Sequence, residues 1–296
     1  MKNKLTIVLC AILFMACDKG ERSNNATDET EETNYTLRDG RSTFSVDQVI
    51  DGETVARSIQ VVAPSTIDRE KNYPVLFAFH GAGGSANQFL SNQTLNNLIN
   101  SGEFIGIYPN GHNTFWNLGS ENTNADDVDF VNKIVDELLR YTNLDYEKMY
   151  ALGFSNGAGM VNLLGKSTEH FKAIAPMFSQ QVVSTGSLIP TAPLSVFQLG
   201  GERDELIPLN GGNSPVGSFL SEEDSALDWV NHFNCNPDPT EEILTWGNTS
   251  IDTYRYLNCD GDHEIIRMVA LNTGHGLEGA ANPVAFAEVW NFFKRH

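Results

Sequence analysis

Polar and apolar residues alternate over residues 42–50 and again over 53–62, on either side of Asp51-Gly52. A two-residue period around such a turn predicts an antiparallel hairpin. Residues 74–79 break the alternation with a continuous apolar run, as a strand covered on both faces requires. A polar, helix-compatible stretch follows over 85–100, then a strand at 104–108 and a helix from about 126 to 141. The next apolar run, 149–152, leads into a small-residue segment able to start a helix. Further along come strands at 172–178 and 194–199, a helix near 219–233, a strand at 265–271 and a last helix over 283–293. Strands alternating with helices predict an α/β fold, a mostly parallel central sheet with helices on both faces. The N-terminal hairpin makes that sheet mixed. The stretch between 178 and 194 is short, so no large lid is expected and the cleft should be open.

The first seventeen residues depart from this pattern. Lys2 and Lys4 precede an apolar core, 5–15, too short to span a bilayer as a permanent helix. Ala16-Cys17 closes it in the manner of a bacterial lipoprotein cleavage site, with Phe14 where leucine is usual. The reading is a lipoprotein-type signal peptide, 1–17, with Cys17 as the lipidation site; simple secretion after cleavage near Ala16 is the alternative. Residues 18–40 are polar and acidic and read as a flexible tether. Residues 41–296 form the expected catalytic domain. An envelope-held or secreted protein follows, touching membrane only through its lipid.

Composition adds two constraints. Without the signal the chain carries 17 basic and 38 acidic residues, a net charge of −21, which disfavours nucleic acid and anionic headgroups as partners. Cys10 and Cys17 lie in the signal region, leaving Cys235 and Cys259. Two cysteines in an exported domain point to one disulfide. Neither spacing nor neighbours indicate a metal site, and oligomeric state is not legible.

Candidate chemistry centres on Gly153-Phe154-Ser155-Asn156-Gly157. Between a strand and a helix this pattern sets the serine on a sharp turn with its hydroxyl exposed, and glycines are needed where a Cβ would collide. A nucleophilic serine requires a base, and the base an orienting acid, in the chain order serine, acid, histidine. Asp204 follows the 194–199 strand and is the expected acid; Glu202, Glu205, Asp260 and Asp262 are rivals. Among seven histidines, His275 follows the last strand in the small-residue loop Asn272-Thr273-Gly274-His275-Gly276 and is the expected base. His80 comes too early in the order. Oxyanion donors should come from the Asn156 N–H and from the loop His80-Gly81-Ala82-Gly83-Gly84. A phosphate-cradling loop is the rival for that segment, but it lacks the lysine-serine/threonine ending.

Together these segments resemble the polyhydroxybutyrate-depolymerase-like and feruloyl-esterase branch of the α/β-hydrolases, which includes carbohydrate esterases. The resemblance runs from about Arg57 to the C-terminus. It includes Tyr108-Pro109-Asn110-Gly111 with Trp116-Asn117, Asp126-Asp127-Val128, Phe171-Lys172-Ala173-Ile174-Ala175-Pro176, Gly201-Glu202-Arg203-Asp204 and Gly274-His275. It implies Ser155 as nucleophile, Asp204 as acid and His275 as base, with Ala82 and Asn156 as oxyanion donors and a Cys235–Cys259 pair. The chemistry implied needs no cofactor. The chain departs from the pattern at Gly157-Ala158-Gly159, where two glycines usually follow the Ser-Asn. A second departure is Gly276-Leu277-Glu278, where Trp-Pro commonly follows the histidine. Trp116 and Phe115 would form an aromatic wall for an acyl or sugar group, although core packing would serve both equally well. The expected function is an exported esterase on feruloyl or acetyl groups of polysaccharide, with a hydroxyalkanoate polyester as the alternative substrate. A non-catalytic glycan- or protein-binding lipoprotein is the alternative of another class.

Overall fold

The computed structural model describes residues 35–296. The signal peptide, Cys17 and most of the 18–40 tether lie outside the described residues. The expected hairpin is formed by β1 (Arg41–Ile50) and β2 (Glu53–Val62), paired in unbroken register. Asp51 and Gly52 both take positive φ (53° and 85°), the twist a two-residue connection needs. Then follow β3 (Tyr73–Phe79), the short helices α1 (Asn87–Leu90) and α2 (Gln93–Asn100), β4 (Ile105–Pro109) and α3 (Asp127–Leu138). The middle of the chain supplies β5 (Leu144–Phe154), α4 (Asn156–Ser167), β6 (Ala173–Met177), α5 (Val183–Gly186) and β7 (Ser195–Gly201). The last part holds a small ribbon of β8 (Gly212–Ser214) and β9 (Gly217–Phe219), then α6 (Glu222–His232), β10 (Thr240–Trp246), β11 (Thr249–Tyr256), β12 (Ile265–Ala270) and α7 (Ala281–Phe293).

Ten strands form one sheet in the order β1-β2-β4-β3-β5-β6-β7-β12-β11-β10. The six central strands are parallel, and an antiparallel hairpin closes each edge. The second of these, β10–β11, is absent from the sequence reading. Its outer strand is Thr-Glu-Glu-Ile-Leu-Thr-Trp, largely exposed, so burial imposes no apolar alternation on it.

The alternation of side chains along β3 divides the core in two. Val75, Phe77 and Phe79 enter a cluster with α3, α4 and α6, while Leu76 and Ala78 enter one with α1, α2 and α7. Full burial of an apolar side chain of this size stabilises by about 1.5–3 kcal/mol. Cys235 and Cys259 form a disulfide that fastens the segment after α6 to the segment after β11. No described helix is long and apolar enough to cross a membrane.

The start of α3 is anchored from inside. Asp126 caps the helix by accepting from the Asp129 N–H. Asp127 is buried and pairs with Arg57 of β2 at 2.6 Å. Burial pushes the Asp127 carboxyl up and the Arg57 guanidinium down, and each partner opposes the other's shift. The Arg57 guanidinium also lies 3.6 Å from the Phe130 ring centroid.

Candidate active site

Strand β5 and helix α4 meet at Ser155, whose φ of 55° and ψ of −123° are unusual for a residue with a Cβ. A Cβ at Gly153 would overlap the Gly157 carbonyl, and one at Gly157 would overlap the Phe79 carbonyl. The turn therefore closes only with glycine at both places, as the motif requires. The Ser155 N–H donates to the Met177 carbonyl at 3.0 Å, tying the turn to β6.

His275 arrives from the loop after β12. Its Nε2 lies 2.8 Å from Ser155 Oγ and its Nδ1 2.6 Å from Asp204 Oδ2. An ionised carboxylate only accepts, so Nδ1 carries the proton and Nε2 offers its lone pair to the serine hydroxyl. Asp204 follows β7 and its side chain is 2% exposed. Its Oδ1 accepts from the N–H groups of Leu206 and Ile207, both at 2.9 Å. Those bonds aim Oδ2 at the imidazole.

The rivals for the acid stand elsewhere. Glu202 accepts from the Asn272 N–H at 2.7 Å, and Asp260 accepts from the Asn234 side chain. Glu202 thus joins the loop after β7 to the histidine loop. Arg203 adds a second link, its N–H donating to the Thr273 carbonyl at 2.8 Å and its guanidinium to Asn272 Oδ1.

The two expected oxyanion donors border the same space as Ser155. Asn156 opens α4, so its N–H has no carbonyl one turn earlier. In the loop after β3, Gly81 N–H donates to Gln88 Oε1, Gly83 N–H to the Thr114 carbonyl and Gly84 N–H to the Gly81 carbonyl. The Ala82 N–H takes no part in these bonds. His80 is fully buried within this loop. Its Nε2 accepts from the Gly111 N–H at 3.0 Å, which leaves Nδ1 as donor to the Gly81 carbonyl at 2.8 Å, and burial lowers its pKa. It is a neutral brace between two loops.

A cleft of about 300 Å³ opens in front of Ser155. Phe115, Leu118, Leu206, Ile207, Val216 and Phe219 make it mostly apolar. Trp116, expected as a wall of this cleft, is instead fully buried, with its indole N–H donating to the His80 carbonyl at 2.8 Å. Phe115 is the aromatic residue that lines the space. Periodicity in a loop does not say which of two adjacent rings faces inward, and of the pair the sequence favoured Trp116, the one that the structure buries. Val216 lies in the turn that joins β8 to β9, a ribbon which the sequence reading also missed: six strand residues with two glycines and two serines carry no strand signal. Glu121 is a further participant. It accepts from Asn156 Nδ2 at 3.2 Å and from the N–H groups of Leu118 at 2.7 Å and Ser120 at 3.1 Å.

The arrangement can withdraw a proton from a serine hydroxyl and hold negative charge on an adjacent oxygen. The fold agrees with a solved acetyl xylan esterase from Aspergillus awamori at a TM-score of 0.58 and 15% identity, over 86% of this chain and 100% of that one. No protein-family model matches the chain. Feruloyl esterase B of Piromyces equi is 28% identical over 236 residues, covering 75% of this chain and 43% of that protein. Feruloyl esterase C of Emericella nidulans is 24% identical over 243 residues, covering 78% and 81%. The fold is that of an α/β-hydrolase. In sequence the chain is similar to these feruloyl esterases, and it spans less than half the length of the Piromyces protein.

Proposed function

We propose that the protein is a serine carboxylic ester hydrolase acting on feruloyl or acetyl esters of polysaccharide. Ser155 Oγ attacks the ester carbonyl carbon as His275 Nε2 takes the hydroxyl proton. The N–H groups of Ala82 and Asn156 hold the oxyanion, and Asp204 keeps the imidazole oriented and stabilises its charged form. Collapse expels the alcohol, which leaves with the proton from Nε2, and the acyl group stays on Ser155. Water then repeats the sequence and releases the acid. The observation that carries this reading is the hydrogen-bonded chain Asp204–His275–Ser155 ending at a strained turn beside two unused N–H donors.

The apolar cleft favours an aromatic acyl group over acetyl, since about 300 Å³ greatly exceeds the space an acetyl methyl requires. Export and lipid attachment at Cys17 complete the proposal: an enzyme held at the cell envelope would release acids from polymers outside the cell.

Purified protein should hydrolyse methyl ferulate or p-nitrophenyl acetate, bind a fluorophosphonate at Ser155, and lose both properties as Ser155→Ala. A Ser155→Ala variant that retained full activity would exclude the mechanism. Preference for a hydroxybutyrate oligomer would move the substrate to the polyester.

A further inference from the structure

His275 stands between two clefts. The apolar one meets Ser155; the other, of about 310 Å³, has His275 itself in its wall and does not include Ser155. Its lining is different in kind. Phe154 and Phe286 offer aromatic surface, and Gln88, Asn92, Asn282 and Glu278 form a polar rim. Each amide has one end engaged. Gln88 Oε1 accepts from Gly81 N–H at 2.9 Å, Asn92 Oδ1 from Leu95 N–H at 3.0 Å, and Asn282 Nδ2 donates to the Leu277 carbonyl at 3.3 Å. Among the described residues the opposite ends of these amides, two donors and one acceptor, are left for a ligand. Phe154 is itself fixed, its ring 5.5 Å from that of His275 and 5.7 Å from that of Phe178.

We propose that this second cleft is the alcohol-side subsite and that it takes a neutral sugar. The inference rests on the esterase reading and deepens it. When the acyl–oxygen bond breaks, the acyl carbon stays on Ser155 Oγ and the departing oxygen accepts the proton carried by His275 Nε2. That oxygen must lie within reach of the imidazole, so the alcohol extends along the His275 side, away from the apolar cleft that holds the acyl group. A sugar ring offers hydroxyls around its rim and C–H faces above and below. Amides at the rim and phenyl rings behind them meet both needs. Glu278 accepts from hydroxyls and repels a carboxylate, so the subsite discriminates against uronic acids. Glu278 belongs to Gly276-Leu277-Glu278, the segment where the chain departs from the family pattern.

The test compares two esters that share an acyl group, feruloyl-arabinose and methyl ferulate, in the full chain and in a Glu278→Ala/Asn282→Ala variant. Both substituted side chains are exposed, so folding should survive. The sugar ester should be favoured in kcat/KM by about tenfold, and the variant should lose most of that preference through KM. A ratio near one in the wild type, or a ratio the variant leaves unchanged, overturns the subsite while methyl ferulate turnover keeps the esterase. If Ser155 is labelled yet ferulate esters are not turned over, an acetylated xylooligosaccharide against ethyl acetate gives the same comparison. No turnover of any ester and no labelling of Ser155 overturn the esterase reading and the subsite with it.

Discussion

The side-chain amide of Asn156 engages both backbone polar groups of Trp116. Its Oδ1 accepts from the Trp116 N–H at 2.8 Å and its Nδ2 donates to the Trp116 carbonyl at 3.0 Å. The residue after the serine thereby fixes the loop that carries Phe115 and Leu118 into the cleft. Its own N–H remains available to an oxyanion.

Asn156→Ala keeps that N–H and removes the clamp. Two buried backbone groups lose their partners, each at about 1–3 kcal/mol, so Tm should fall by roughly 5–20 °C. With the loop free, kcat/KM for ferulate esters should drop by about 10- to 100-fold, since small misplacements in a site have effects of this order. Thermal melts and steady-state kinetics decide it. Unchanged values for both would show that the loop is held by other contacts.

The Arg57–Asp127 pair acts on the same loop from its far end, because Asp127 Oδ2 also accepts from the Asn117 N–H at 2.7 Å. Asp127→Ala would leave a buried guanidinium uncompensated, a loss of about 3–5 kcal/mol. Replacing both, as Arg57→Met/Asp127→Leu, should recover most of that stability but not the loop anchor. Denaturant titration of the three proteins separates the two effects: the double variant should be stable and still impaired on aromatic esters.

The residues of the candidate triad were legible because each chemistry demands a residue type at a fixed place relative to a strand. Ser155 needed glycines around it, and Asp204 was preferred to Glu202 by its position after the 194–199 strand. The structure brings Asp204, not Glu202, to His275. What surrounds them was less legible. Asp127 is one acid in a strongly acidic chain, and nothing local marks it as the partner of an arginine seventy residues earlier. The walls of both clefts are assembled from distant segments, so no local pattern announces Val216 beside Phe115 or Asn92 beside Asn282. Edge strand β10 escaped because exposure removes the apolar period by which strands are found.

The φ of 55° at Ser155 stores strain that glycine would not feel. Ser155→Gly should therefore abolish turnover and raise stability by about 1 kcal/mol, near the lower end of what such a conformation costs. Ser155→Ala keeps a Cβ and should gain less. Equal melting temperatures for the two variants would place the strain elsewhere.

His80 gives the fold a defined response to acid. Burial holds its pKa below the ordinary value of 6.5, and the Gly111 N–H donated to its Nε2 requires the neutral ring. Below pH 6.5 the unfolded chain takes up a proton that the folded protein resists. Stability from this group is thus fully present above pH 6.5 and is lost as pH falls towards its lowered folded value. His170 and His263, also lowered by burial, act in the same direction. Glu222 acts oppositely. Burial pushes its carboxyl up to about 7, so its contribution declines as pH rises from about 4.5 to 7. The whole-protein profile mixes these signs, and a difference measurement isolates His80. His80→Gln retains an acceptor for Gly111 but does not titrate. It should be less stable than wild type at pH 7.5, and the Tm gap should narrow steadily down to pH 5. A gap that stays constant across that range would show that folding leaves the pKa of His80 unshifted.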